Sequence, residues 1–436
     1  MLQQVGVDVK SLRDYAPFVG EDVVEQIYQL ARPLRGARVL HLNATAFGGG
    51  VAELLASIVP LTSDVGLEVE WRVIYGTDAF FNVTKALHNA LQGGSLRLSS
   101  EAQQRYIEVN QLNAEAFRGE YDFVVVHDPQ PAAMLHFLPN RGVSRHWVWR
   151  CHIDTSQPNM AVLEFLKPFL EAYDAAIFTL PRFVPEALTF PRLFFITPTI
   201  DPLTPKNRPM PLEEAHRILG CFGIDVNRPL ITQVSRFDPW KDPLGVIDAY
   251  RIVKTEVPEV QLALVGSMAS DDPQGWEYYE RTVRHAGNDY DIHILHNFHG
   301  VGNVEVNAFQ RVSDVVVQKS TREGFGLVVT EALWKGRAVV AGNVGGIPLQ
   351  VINGQTGYLV EDKIGCAERV YHLLKHPALR EELGRSGRSH VGEHFLSPRH
   401  IKDYLRLFTD LLEGTTDTVR RVPMVTQTAS LEEVEL

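Results

Sequence analysis

The stretch Ser320–Gly336, "STREGFGLVVTEALWKG", decides the fold and poses the functional question. An apolar β-branched run, "SDVVVQKS", leads into it, and a helix-like run leaves it. Strand, glycine turn and helix in that order are the repeating unit of a parallel α/β sheet. Glu323 and Glu331 stand eight residues apart around Gly324, Phe325 and Gly326. Glu323 falls in the turn. Glu331 falls in the helix about two turns on, ~12 Å away at ~1.5 Å per residue. Acid–base carboxylate pairs of glycosidases stand ~5 Å or ~6.5–9.5 Å apart. This spacing suits instead the gripping of hydroxyls at two places along an elongated ligand. Gly324 and Gly326 expose amide N–H groups at a helix start, where a phosphate is favoured. The pattern predicts a sugar, phosphates and a ribose laid along the turn.

Working outward, the same unit recurs. Strand candidates in the first half are "ARVLHLN", "LEVEWRVIYG", "YDFVVVHD", "HWVWRCHID", "AAIFTL" and "LFFITP"; in the second half they are "RPLITQVS", "VQLALVGS", "DIHILHN", "SDVVVQKS", "RAVVAGN" and "TGYLVE". Near-continuous apolar strands between helices indicate parallel sheets covered on both faces. Twelve strands exceed one comfortable sheet, so two sheets of about six are expected. Prolines at 198, 202, 205, 209 and 211 mark the connection between them, because proline disfavours helix and stiffens a linker. The division expected is 1–204, 205–396, a helix over 397–414 and a disordered tail over 415–436. In that helix Ser397 is the expected cap and Gly414 the stop. Ile401, Tyr404, Leu405, Phe408, Leu411 and Leu412 form its apolar stripe.

Composition narrows the partners. Among 436 residues, 42 Lys plus Arg face 53 Asp plus Glu, a net charge of -11. That balance argues against nucleic acid or an anionic membrane as the main partner, while leaving room for a local basic pocket. Cys151, Cys221 and Cys366 stand apart, without the spacing of a disulfide framework or a zinc site. A reducing, cytoplasmic setting is expected. The N-terminus carries no apolar signal segment, and no run reaches the ~20 apolar residues of a spanning helix.

Ligands of open parallel sheets bind at the carboxyl ends of the strands, so the residues there are the candidates. Gly48, Gly49 and Gly50 follow the first strand and precede a helix. They fit either a tight turn alone or an anion cradle. His127, Asp128, His152 and Asp154 close two further strands. Arg236 and Lys241 flank Pro239 after "RPLITQVS". Two cations in such a loop suit a diphosphate, by an Arg fork and a Lys point charge; the alternative is a solvated surface pair. Gly345 and Gly346 let the backbone pass close to a neighbour.

These motifs together resemble the retaining glycosyltransferases of family 4. "STREGFGLVVTEALWKG" is similar to that family's Glu–seven residues–Glu motif, "SRFDPWKD" to its diphosphate clamp, and "FGGGVAELL" to its N-terminal glycine loop. The resemblance spans residues 35 to 413. "HLNATAFGGGVAELL", "VHDPQP", "WRCHIDTSQPN" and "PTIDPLTPKN" resemble the trehalose glycosyltransferring synthases, and fungal-type retaining trehalose phosphorylases resemble these in turn.

The resemblance implies the GT-B fold, two Rossmann-like domains facing across a cleft, with a C-terminal helix crossing back to the first. It implies a nucleoside-diphosphate glucose on the second domain and free glucose on the first, joined to form trehalose. Glu323 would hold the donor glucose, Glu331 the ribose, and Arg236 and Lys241 the diphosphate. The amides of Gly324, Phe325, Gly326 and Leu327 would cover phosphates and sugar, and Gly48, Gly49 and Gly50 would also bind the donor. His152 matches the histidine near the anomeric carbon. Asp154, and Asp78 and Lys85 of the loop "GTDAFFNVTK", match acceptor contacts. A trehalose phosphorylase, or a family 4 transferase with another acceptor, are the alternatives. No metal or other cofactor is expected to be essential, Mg2+ included. The partners expected are small sugars and nucleotides, with monomer and homodimer both open. A dehydrogenase would need the GxGxxG fingerprint with an acidic residue ~20 positions on, which is lacking.

Overall fold

A computed structural model describes residues 2–268, 273–414 and 419–420. All twelve expected strands form, and they divide between two sheets. The first runs, in spatial order, Gln3–Gln4, Glu68–Val73, Arg38–Asn43, Phe123–His127, His146–Arg150, Ala175–Phe178, Leu193–Phe195 and Val419–Arg420. The second runs Ile292–Leu295, Gln261–Val265, Leu230–Val234, Val315–Gln318, Ala338–Gly342 and Gly357–Val360. Every neighbouring pair is parallel except Gln3–Gln4 against Arg72–Val73. Numbered along the chain from Arg38, the first sheet has the order 2-1-3-4-5-6 and the second 3-2-1-4-5-6. Both are doubly wound orders that reverse direction at one point.

The strands read as unbroken apolar runs because both faces are covered. Phe123, Val124, Val125 and Val126 are all fully buried, as are Val339, Val340 and Ala341. Side chains alternate between faces, so Val124 and Val126 serve one core while Phe123 and Val125 serve another. The second sheet has separate cores of its own.

The helix Ser397–Glu413 belongs by packing to the first sheet. Ile401, Tyr404, Leu405, Leu407, Phe408 and Leu411 join the core that holds Val39, Phe123 and Val148. The Phe408 ring stacks on Phe123 at 4.3 Å between centroids. Burying each such large apolar side chain contributes ~1.5–3 kcal/mol. Two expectations need correction. Leu412 is 39% exposed and Leu407 takes its place inside. Ser397 does not cap: Leu396 is the N-cap, and the Ser397 hydroxyl donates to the Ile200 carbonyl. Gly414 does end the helix, at φ 65°. The expected tail lies outside the described residues save Val419–Arg420, which pair with Leu193–Phe194 rather than being disordered.

The chain passes between the lobes twice, side by side. Ile200 N–H donates to the Phe395 carbonyl and Ser397 N–H returns the bond to Ile200. His400 Nδ1 and Arg399 then reach the Thr197 carbonyl. Among the described residues, no helix is long and apolar enough to cross a membrane.

Candidate active site

In the second sheet the order reverses between Leu230–Val234 and Val315–Gln318. The first of these strands runs into Ser235–Lys241, the second into Lys319–Gly326. Topology alone therefore sets Arg236 and Lys241 beside Glu323. Lys241 Nζ lies 2.5 Å from Glu323 Oε2, and the Ser320 hydroxyl donates to the same oxygen at 3.2 Å. The cationic loop is held by Asp238 Oδ1, which accepts from Lys241 N–H at 3.1 Å, and by Gln233 Nε2, which donates to the Lys241 carbonyl at 2.7 Å. Arg236 reaches outward. Its side chain is 59% exposed, with Asp238 Oδ2 3.7 Å away. One cation is thus paired and fixed, and the other is open to an anion.

In the first sheet the order reverses between Arg38–Asn43 and Phe123–His127. The glycine loop follows the first of these and enters the helix Gly50–Asp64, with Gly48 at φ 75°. A Cβ on Gly50 would stand 3.2 Å from Leu327 Cδ1, so this loop meets the donor turn of the other lobe. Asp128 closes the second strand at φ 61°, an unusual conformation that Asp tolerates. Its Oδ1 accepts the His152 backbone N–H at 2.9 Å. The His152 ring stacks on His127, with Nε2 at 2.9 Å from His127 Nδ1. A Cβ on Gly324 would come within 2.5 Å of the His152 carbonyl oxygen. His152 and the Glu323 turn, from opposite lobes, are therefore immediate neighbours.

Further bonds span the cleft. The Arg322 guanidinium donates to the Gln92 carbonyl and lies 3.3 Å from Gln157 Oε1. Arg182 donates to the Gly345 carbonyl. Lys206, in the proline-rich connection, places Nζ 2.6 Å from Glu53 Oε1 and 3.6 Å from Glu331 Oε1. Burial works against its charge, but Glu331 and Glu53 hold its pKa above the usual lysine value. Lys335 donates to Asn207 Oδ1, Gln310 Oε1 and the Glu331 carbonyl, tying the Glu331 helix to the same connection.

The structure brings together His152, Glu323, Gly324, Arg236, Lys241, Leu327 and the loop of Gly48, Gly49 and Gly50. Phe325 points its ring into the core against Phe395, leaving its backbone to the turn. Glu331, expected to hold the ribose, is 2% exposed and lies beside Lys206. Asp154 is buried, and its Oδ1 accepts from Ser156 N–H at 3.0 Å. That bond holds a local turn. Asp78 is exposed at the start of the helix Asp78–Leu91, and Lys85 is half-buried on that helix. His88, one turn beyond Lys85, is lowered to about 4 by burial, with the charges of Arg236 and Lys85 adding. That helix therefore faces the cationic loop.

Three residues escaped the sequence reading. Lys206 was visible only as part of a linker, Arg322 as a turn residue, and His41 as a polar position within a strand.

Residues 41–185 match the family model described as trehalose synthase, N-terminal domain, and residues 220–390 match glycosyl transferases group 1. The chain is 52% identical over 415 residues to a protein named trehalose synthase from Rubrobacter xylanophilus, covering 94% of this chain and 100% of that one. It is 48% identical to one of the same name from Thermococcus litoralis, over 92% of this chain and 97% of that one. A solved α,α-trehalose-phosphate synthase (UDP-forming) from Burkholderia xenovorans, in complex with glucose-6-phosphate, superposes at a TM-score of 0.70. It covers 86% of this chain and 100% of that one at 16% identity. At that identity the likeness speaks for the fold, and the fold is GT-B.

The Asp128 carboxyl is pushed up to about 7 by burial, against the His152 N–H bond and the Arg150 charge that favour its ionised form. Unfolded, it titrates near ~4. Between those values the folded protein keeps a proton that the unfolded chain has released, so stability falls as pH rises from ~4 to ~7. Asp128→Asn retains the acceptor for His152 N–H and tolerates the same backbone. Urea unfolding across pH should show the variant matching the parent near pH ~4 and exceeding it above pH ~7, by ~4 kcal/mol at most. A pH-independent difference would show that Asp128 ionises freely in the fold.

Proposed function

The chain belongs to the trehalose synthase family of group 1 glycosyltransferases, and on that premise we propose that it moves glucose from a nucleoside-diphosphate glucose to free glucose, forming trehalose with retention at the donor carbon. As a family member it is a glycosyltransferase of trehalose-related glucosyl transfer. The observation that carries the finer reading is the meeting of Lys241, Arg236 and Glu323 at one switch point, with His152 set against the same turn.

In this reading the donor enters between the lobes with its diphosphate at the open end of Arg236. Lys241 exchanges its contact with Glu323 for a phosphate oxygen. Glu323, so released, accepts hydroxyls of the donor glucose, and the turn amides from Gly324 to Leu327 cover the phosphates. Glu331 reaches the ribose when Lys206 shifts fully onto Glu53. The acceptor hydroxyl attacks from the face on which the diphosphate departs, and a departing phosphate oxygen takes its proton. The enzyme supplies position and charge: two cations aimed at the charge that grows on the leaving group, in a cleft closed to water. The bonds of Arg322 and Arg182 across the cleft support such a closed state. No metal has a part in this scheme.

The direct test incubates the protein with glucose and several nucleotide-glucose donors, with and without EDTA. Trehalose and free nucleoside diphosphate, unaffected by the chelator, are the expected products. Activity confined to trehalose plus inorganic phosphate would make it a phosphorylase, and full loss with EDTA restored by a divalent ion would overturn the metal-free scheme.

The two glutamates should fail differently. Glu323→Gln should slow transfer sharply and change the preference between glucose and its C4 epimer, because a site built around one hydroxyl can reject its misplacement by ~10⁴. Glu331→Gln should chiefly weaken binding of the free nucleoside diphosphate, read by calorimetry. Equal losses of nucleotide affinity in both variants would mean that the carboxylates do not divide the ligand in this way.

A further inference from the structure

Behind His152 lies a chain of imidazoles that the reaction scheme does not use. His152 Nε2 stands 2.9 Å from His127 Nδ1, and His127 Nε2 stands 3.0 Å from His41 Nδ1. His41 and His127 are each 1% exposed. They occupy the two strands that flank the first sheet's switch point, on the same face and offset by two positions, since His41 pairs with Val125, and His152 follows the end of the next strand. His127 and His152 stack with 15° between ring planes, and the His41 ring lies 5.8 Å from Tyr404 of the C-terminal helix. The two ends of the chain, His152 Nδ1 and His41 Nε2, make no hydrogen bond among the described residues.

A neutral imidazole has one N–H and one bare nitrogen. Each nitrogen–nitrogen contact must hold one proton, since two would clash and none would leave two lone pairs opposed. His127 takes part in both contacts, so its tautomer dictates the other two. With all three rings neutral, they share one tautomer: every Nδ1 protonated, or every Nε2 protonated. Burial favours the neutral rings, lowering His41 to about 3 and His127 and His152 well below their usual value. The buried Arg150 charge further disfavours protonation of His127 and His152. The far end breaks the tie. An unpaired N–H at His41 Nε2, in a residue only 1% exposed, costs more than an unpaired lone pair there. The bonds therefore run from His41 to His127 to His152.

We propose that His41 and His127 are positioning residues that act in series to hold the His152 ring plane and to present its Nδ1 as a fixed N–H donor to the sugars. The proposal rests on the glucosyl-transfer reading for its consequence in turnover, and on geometry alone for the tautomer. It gives a reason for polar side chains in strands that are otherwise apolar. It also links the His152 donor to a ring that packs on the crossover helix.

The full chain with ¹⁵N-labelled histidine, without substrate, reads the tautomers by two-bond proton–nitrogen correlation, with single variants assigning the signals. The expected result is an Nδ1-protonated pattern for His41, His127 and His152 alike. His41→Leu should release His127, so that His152 samples both tautomers. Its kcat should fall about tenfold, the worth of one oriented hydrogen bond, with KM for the sugar nucleotide within about twofold. His41→Asn, whose amide can donate from the Nδ1 position, should retain the parent pattern and rate. Mixed or Nε2-protonated tautomers in the unmodified protein would overturn the proposal, whatever the variants do. So would an unchanged His152 signal and kcat in His41→Leu. Failure to make trehalose would leave the tautomer pattern readable, so the two readings fail separately.

Discussion

A bare backbone at the turn 324–326 is the constraint on which the rest depends. A Cβ on Gly324 would strike the His152 carbonyl at 2.5 Å, and one on Gly345 would lie 1.6 Å from the Glu323 carbonyl. Gly346 would press on the Gly324 carbonyl at 2.7 Å. The turn is thus wedged between a strand end of the first lobe and the next loop of its own. Gly326 adds a left-handed conformation, φ 85°, at the helix start. These close approaches explain why two carboxylates flank glycines: the turn carries Glu323 to the cleft because nothing bulkier fits behind it.

Charge is distributed around that wedge in a graded way. Lys241 is locked onto Glu323, Arg236 is open, and Lys206 balances two carboxylates from different lobes. Each buried cation is matched by an acceptor, which keeps the cost of desolvation down until a ligand supplies a better partner. Lys206 in particular couples the glycine-loop helix, through Glu53, to the donor helix, through Glu331. The linker therefore takes part in the site and is more than a spacer.

The fold was largely legible in the sequence because its logic is local. Buried parallel strands announce themselves as continuous apolar runs, and glycine turns at their ends mark the ligand edge; all twelve strands followed. Arg236, Lys241, Glu323 and His152 were legible for the same reason, as polar residues at strand ends. What stayed hidden depends on register between distant segments. His41 looks like any polar residue within a strand until it is paired opposite Val125, two residues before His127 and so on the same face. Leu407 and Leu412 are equally apolar, and only the helix's rotation on the sheet decides which is buried. Ser397 sits where a cap belongs, but the parallel bridge between Ile200 and Leu396 takes its hydroxyl elsewhere.

The most direct measurement is the transfer rate of Gly324→Ala, compared with its unfolding midpoint and far-ultraviolet circular dichroism. The account predicts a fold that survives, because the lobes have separate cores, and a rate that drops ~10²-fold or more, as displacements of ~1 Å at a reacting centre do. A folded variant that turns over within about twofold of the parent would contradict it, since the bare backbone would then not be what sets Glu323 against His152.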